Sequence, residues 1–102
     1  MQFLVLGRTA QTTTEQSAEQ ISWVKQGIKQ FQEDPRTKAV YGFAGEWVAC
    51  IICDCDTAAE LGQYLTLNPL GMLADWEVHP LATPSESIQT LEMLEKHLQQ
   101  AA

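Results

Sequence analysis

A chain of 102 residues is the length of one domain, enough to bury about two thirds of its unfolded surface around a single core. Apolar residues make up 45% and charged ones 19%, with four prolines and six glycines scattered along the chain, a composition that excludes a disordered tail or a long linker. Thirteen acids against six Lys and Arg give a formal charge of -7, a field that repels nucleic acid and anionic membrane, and no run approaches the roughly 20 apolar residues of a membrane helix.

Gln2 to Gly7 is a short apolar run ended by glycine, which predicts a first strand buried on both faces, with Arg8 at its exposed end. The apolar block starts at once and lacks a basic leader, so it is expected as a strand and not an export signal. Thr12, Thr13 and Thr14 precede Glu15, and Thr12 with Glu15 has the spacing of a capping box. A helix is predicted over about residues 14 to 33, with Ala18, Ile21, Val24, Ile28 and Phe31 as its apolar stripe and Asp34-Pro35 as its stop. Trp23 lies off that stripe, open to being either a contact residue or a lone surface aromatic.

Thr37 to Phe43 and Trp47 to Asp54 are β-rich runs separated by Ala44, Gly45 and Glu46, the pattern of an antiparallel hairpin. Thr57 and Glu60 form a second capping box ahead of a short helix, with Ala58, Leu61 and Leu65 on one side and Asn68-Pro69 at its end. Met72 to Pro80 returns to a two-residue period that sets Ala74, Trp76 and Val78 on one face and Asp75, Glu77 and His79 on the other. Thr83-Pro84-Ser85-Glu86 combines an N-cap, a proline at the first helical position and a glutamate at the third. The helix it opens carries Ile88, Leu91, Leu94 and Leu98 as a stripe, with Lys96 and His97 near its negative end.

Strand, helix, hairpin, helix and strand make a split βαβ pattern, an α+β ferredoxin-like fold of order βαββαβ with an additional C-terminal helix and a four-stranded antiparallel sheet. Two helices cover one face of such a sheet. Leu4, Leu6, Val40, Phe43, Trp47, Val48, Ile51 and Ile52 make the strands apolar on both, so the second face needs a cover. A second copy of the chain supplies it if two sheets face each other in a homodimer and close a lumen between them. The competing arrangement folds the last helix back over the open face and leaves a monomer.

Asn68-Pro69-Leu70 followed by Asp75-Trp76-Glu77-Val78-His79-Pro80 resembles the closing segment of the muconolactone isomerase-like and YCII-like groups of the dimeric α+β barrel superfamily. The Tyr41-to-Trp47 hairpin with Ala44-Gly45, and the helix opening Asp56-Thr57-Ala58-Ala59-Glu60-Leu61, are similar to the same groups. The resemblance spans about the second two thirds of the chain. It implies a lumen that binds small, often cyclic or aromatic, organic acids, and in the isomerase a proton shift on a lactone without metal or cofactor. YCII-like proteins carry an early histidine in a polar dyad. This sequence has no histidine before His79, so that mechanism does not transfer.

Asp75, Glu77 and His79 are where several ionisable groups must point one way, about 6 to 7 Å apart along the strand. If that face is a lumen, Glu77 and His79 are the candidate catalytic base and acid, and Asp75 lies among the substrate-binding groups. The bland alternative is an edge strand whose charges prevent aggregation. Arg8 has the planar fork that binds a substrate carboxylate, or it pairs with Asp54 or Asp56. Tyr41, Phe43, Trp47, Met72 and Met93 read as core or lumen lining, with Tyr41 and Trp47 as candidate walls for an apolar ring.

Cys50, Cys53 and Cys55 are an odd and crowded set, a poor disulfide framework, and the cytoplasm is the expected compartment. A strand sends Cys50 and Cys53 to opposite faces, away from a helix N-terminus that activates thiols. All three are expected as small buried apolar groups, with no metal site and no cofactor. The expected function is binding of a small hydrophobic or cyclic organic acid or lactone, with isomerase or lyase chemistry on it without a cofactor. The alternative is a non-catalytic assembly or regulatory module whose dimer surface is its function. A cofactor-free monooxygenase on the same barrel rests on fold analogy alone.

Overall fold

Every break in the hydrophobic pattern becomes a boundary between elements. The computed structural model describes residues 1–9 and 18–101. It runs β1 (Gln2–Thr9), α1 (Ala18–Glu33), β2 (Thr37–Gly42), β3 (Val48–Asp54), α2 (Ala58–Thr66), β4 (Ala74–Pro80) and α3 (Pro84–Ala101). The expected Thr12 and Glu15 capping box and the helix start near residue 14 lie outside the described residues. The four strands form one antiparallel sheet in the order β2-β3-β1-β4. The fold is therefore ferredoxin-like α+β with a helix appended.

Burial along the strands separates the two faces. Phe3, Val5 and Gly7 of β1 are buried, while Leu4 and Leu6 between them stay partly exposed. This corrects the expectation of a first strand buried on both sides: the helices cover only the face that also holds Ile51 and Cys53. The strand also continues past Gly7, because Arg8 and Thr9 still pair with Asp75 and Ala74 of β4. The hairpin closes through the amides of Phe43 and Glu46, which donate to the carbonyls of Val48 and Phe43 at 3.0 and 3.2 Å. Trp47 consequently lies in the loop and not in β3.

The core joins Phe3, Val5, Ile51 and Cys53 from the sheet to Phe31 of α1, Leu61, Tyr64 and Leu65 of α2, and Leu70 beyond it. Phe31 meets Tyr64 and Trp76 with ring centroids 5.0 and 6.0 Å away, in the tilted and edge-on geometries that aromatic quadrupoles favour. Gly7 permits the Trp76 ring to lie on the sheet, since a β-carbon there would come within 2.6 Å of the indole. Gly27 plays the same part for α1, whose backbone approaches Leu70 and Asn68 so closely that a β-carbon would meet Leu70 at 2.5 Å. Asn68 is buried and bonded at both ends of its amide. Its nitrogen donates to the Gly27 carbonyl at 2.9 Å, and its oxygen accepts from the Leu70 amide at 2.9 Å.

Local chemistry fixes the later helices. Thr57 caps α2 by accepting from the Glu60 amide at 3.1 Å, while the Glu60 carboxylate reaches back to the amide of Asp56 at 2.8 Å, one residue before the cap. Thr83 and Glu86 make the reciprocal capping box of α3, at 3.0 and 3.1 Å. Yet no residue of α3 is buried. The molecule measures 62 × 28 × 21 Å with a radius of gyration of 17.8 Å, against about 13 Å for a compact chain of 100 residues. The last helix does not fold back over the open sheet face. Met72 and Met93, expected as core or lining, are 88% and 72% exposed. Met72 sits in the turn between α2 and β4, and Met93 points away from the apolar stripe of its helix.

Candidate functional site

The strand registers lay out the uncovered face as a grid. Tyr41, Cys50, Leu6 and Glu77 form one row across the four strands, because Tyr41 pairs with Cys50, Cys50 with Leu6 and Leu6 with Glu77. The row on one side holds Val48, Arg8 and Asp75, and the row on the other holds Ala39, Ile52, Leu4 and His79. The middle strands thus lay down a floor of Leu4, Leu6, Cys50 and Ile52, all partly exposed. A column of ionisable groups on β4 borders it on one side, and the Tyr41 ring stands on β2 at the other. Three strand spacings, about 14 Å, separate Tyr41 from Glu77.

Arg8, Glu77 and His79 come together. One oxygen of Glu77, Oε2, lies 3.9 Å from Arg8 Nη2 and 3.6 Å from His79 Nε2. All three side chains are about half exposed, so an ion pair between them is screened by water. The partner of Arg8 is therefore Glu77, not Asp54 or Asp56 as the sequence allowed. Asp54 instead accepts from the α-amino group of Met1 at 3.0 Å. Asp75 stands opposite Arg8 in the β1–β4 ladder.

Trp47 belongs to a different place. It lines a cavity of about 160 Å³ on the helix-covered side, with Gly7, Val24, Ile28, Leu70 and Trp76 among its other walls. The walls are mostly apolar, and a void of that size holds one aromatic ring. The sequence grouped Trp47 with Tyr41. The structure sets Tyr41 on the open face and Trp47 beside the cavity.

Away from both places, a polar group closes the end of the core. Arg36 donates to Asp34 at 3.0 and 2.7 Å, and its guanidinium lies 5.0 Å from the centre of the Tyr64 ring. The Arg36 hydrogen bonds hold the Asp34 carboxyl below the usual range. Tyr64 shares a hydrogen bond with the Thr37 hydroxyl, but burial dominates and pushes its phenol up to about 12. Cys53 and Cys55 are buried free thiols. Burial, reinforced by Cys55 alongside, pushes the Cys53 thiol up to about 12, and burial also raises Cys55. Such thiols are poor nucleophiles. Cys50 faces the other way, on the open floor.

The sequence reading missed Cys50, Leu4 and Leu6 as neighbours of the ionisable column, and Trp76 as a cavity wall. The signal for the first three is register, which brings Leu6 between Cys50 and Glu77 and needs two strand pairings to be known.

No protein-family model and no curated protein matches this sequence. Its shape does have a counterpart. The crystal structure of muconolactone isomerase is similar over 83% of this chain and 93% of that chain, with a TM-score of 0.68 at 20% sequence identity. The chain has a muconolactone isomerase-like fold. Muconolactone isomerase and this protein thus share the ferredoxin-like arrangement of sheet and helices. At 20% identity the likeness to muconolactone isomerase extends to the fold alone, and the chemistry must come from the residues on the sheet.

Proposed function

We propose that the protein is a homodimeric α+β barrel that binds a small hydrophobic or cyclic organic acid or lactone in the lumen between two facing sheets, and that it shifts a proton on that ligand without a cofactor. The observation that carries this reading is the position of Glu77, with Arg8 and His79 on either side of one carboxylate oxygen above a floor of Leu4 and Leu6. Arg8 takes a substrate carboxylate by its fork. Glu77 removes a proton from the carbon next to the lactone carbonyl, and protonated His79 returns one to the far carbon of the conjugated system. The double bond moves and no atoms are gained or lost. Asp75, opposite Arg8 in the ladder, lies among the ligand-binding groups, and the Tyr41 ring offers a flat wall. Trp47 bears on the ligand only if the cavity behind the sheet takes part. Three free cysteines suit a reducing compartment, and we place the protein in the cytoplasm.

The test is thermal-shift and NMR titration with small aromatic acids and lactones, followed by proton exchange at the ligand carbon. Wild type should be stabilised and exchange the proton. Arg8→Ala should lose binding, and Glu77→Gln should bind but not exchange. Identical responses from wild type and Glu77→Gln would remove Glu77 from the chemistry.

A second reading has its own support in the half-solvated state of Glu77 and His79. In it the protein is a non-catalytic assembly or regulatory module, and the dimer surface is the function. A lumen filled by side chains, with both residues facing solvent in the dimer, selects that reading.

A further inference from the structure

We infer that α3 is an exchanged arm whose apolar stripe docks on a second copy of this chain. The inference rests on the homodimer proposed above and adds what the sheet faces alone do not supply. Helix α3 is a fully formed element, closed at its start by the Thr83–Glu86 capping box, yet it buries no side chain. Ile88, Leu91, Leu94 and Leu98 fall along one side of it and are 50% to 60% exposed. Four aliphatic side chains aligned in water are not a resting state for a helix, because amphipathic helices draw most of their stability from packing that face.

The chain's own body is not the surface they meet. The Leu81 amide is still held by the Gln2 carbonyl at 2.8 Å, and the capping box begins at Thr83. Ala82 is left as the one residue between those two anchorages, and from there the helix leads away from the sheet. The long axis of 62 Å records that projection.

Area names the second copy as the occupant. The open face of four strands, about 20 Å on each side, offers about 400 Å² per copy. Two such faces bury about 800 Å² in total, below the 1,200 to 2,000 Å² of a stable interface. An 18-residue helix is about 27 Å long and lays down a footprint of about 270 Å². Two exchanged arms, each burying its stripe and the patch beneath it, add about 1,000 Å² and bring the whole to about 1,800 Å², within the stable range. The arms turn an undersized contact into a standard one. A symmetric pair also uses both at once, as an isologous dimer requires.

The experiment is sedimentation equilibrium on the full chain, comparing wild type with Leu91→Ser/Leu94→Ser and with Met93→Ser, which alters the opposite side of the same helix. The stripe variant should weaken dimerisation by on the order of 100-fold or more, as expected for two leucines left unburied. Met93→Ser should change it by less than about threefold, the range of an exposed substitution. If the stripe variant dimerises like wild type, the arm is overturned and the dimer stands. If wild type is monomeric at 100-fold the protein concentration used for binding assays, the dimer falls and the arm with it. Should the stripe variant fail to fold by circular dichroism, a photoreactive residue at position 94, in a mixture of isotopically heavy and light chains, decides the matter. Adducts between heavy and light chains support the arm, and adducts confined to one chain overturn it.

Discussion

The two faces of this sheet are built from the same strands and end in different environments. Val5, Ile51 and Cys53 are fully buried beneath the helices. One residue along in each case, Leu4, Leu6, Ile52 and Cys50 stay partly open to water. Hydrophobic content does not distinguish the two sets. What separates them is which face the helices cover, and Asn68, Gly27 and Gly7 are the residues that seat α1, the chain after α2, and β4 on that face. The uncovered side is left free for a partner or a ligand, with Asp75, Glu77 and His79 of β4 and the neighbouring Arg8 of β1 gathered at one edge of it.

Paired substitutions break or sharpen this contrast. The largest effect is expected from Ile51→Ala, which leaves a cavity in the covered core and costs about 2 to 5 kcal/mol in urea denaturation. Ile52→Ala, on the other face, should cost about 1 kcal/mol at concentrations where the chain is monomeric. Equal losses would mean that the open face is packed within one chain. Asn68→Ala removes the acceptor of the buried Leu70 amide and takes a second donor from the Gly27 carbonyl, which keeps its place in the α1 ladder, for an expected loss of about 1 to 3 kcal/mol. Gly7→Ala pushes a methyl into the Trp76 ring and should cost about 1 to 3 kcal/mol, with the loss relieved in a Trp76→Leu background.

A smaller effect is expected in alkali. The buried Cys53 thiol is raised from 9.0 to about 12, and the Tyr64 phenol from 10.0 to about 12. Both are neutral when protonated, so the unfolded chain loses these protons first as pH rises. Their contribution is complete below about pH 9 and disappears as pH approaches about 12. Cys53→Ala should flatten that decline, seen as a shallower fall of the urea midpoint with pH. The last prediction leaves stability unchanged: a thiol reagent should modify Cys50 in the native protein and reach Cys53 and Cys55 only on unfolding. Modification of all three at one rate would contradict the assignment of faces.

The elements were legible in sequence order because their signals are local. Alternation in Asp75 to His79, the capping residues Thr57 and Thr83, and the breaks at Pro35 and Pro69 each act within a few residues. The ionisable column on β4 was legible for the same reason. The partner of Arg8 was not, since choosing Glu77 over Asp54 depends on which strands lie side by side. Asn68 gave no signal of its own beyond a polar residue before proline, and its bond to Gly27 spans 41 positions. The extent of α3 could be read from its stripe and cap. Its lack of contact with the sheet could not, because periodicity tells which side of a helix is apolar and not what covers it.

The indole of Trp76, pressed onto Gly7 and bonded to the Gly71 carbonyl at 3.4 Å, also gives the protein an optical asymmetry. Of three tryptophans, Trp23 and Trp47 are 48% and 44% exposed while Trp76 is sheltered among Phe31 and the sheet. Fluorescence from the native chain is thus a sum of one emitter in an apolar setting and two in contact with water. Loosening of β4 from β1 shifts the first to the red, and covering α1 or the hairpin tip shifts one of the others to the blue. The sign of the spectral change therefore distinguishes a molecule that is opening from one that is being covered, without any label attached.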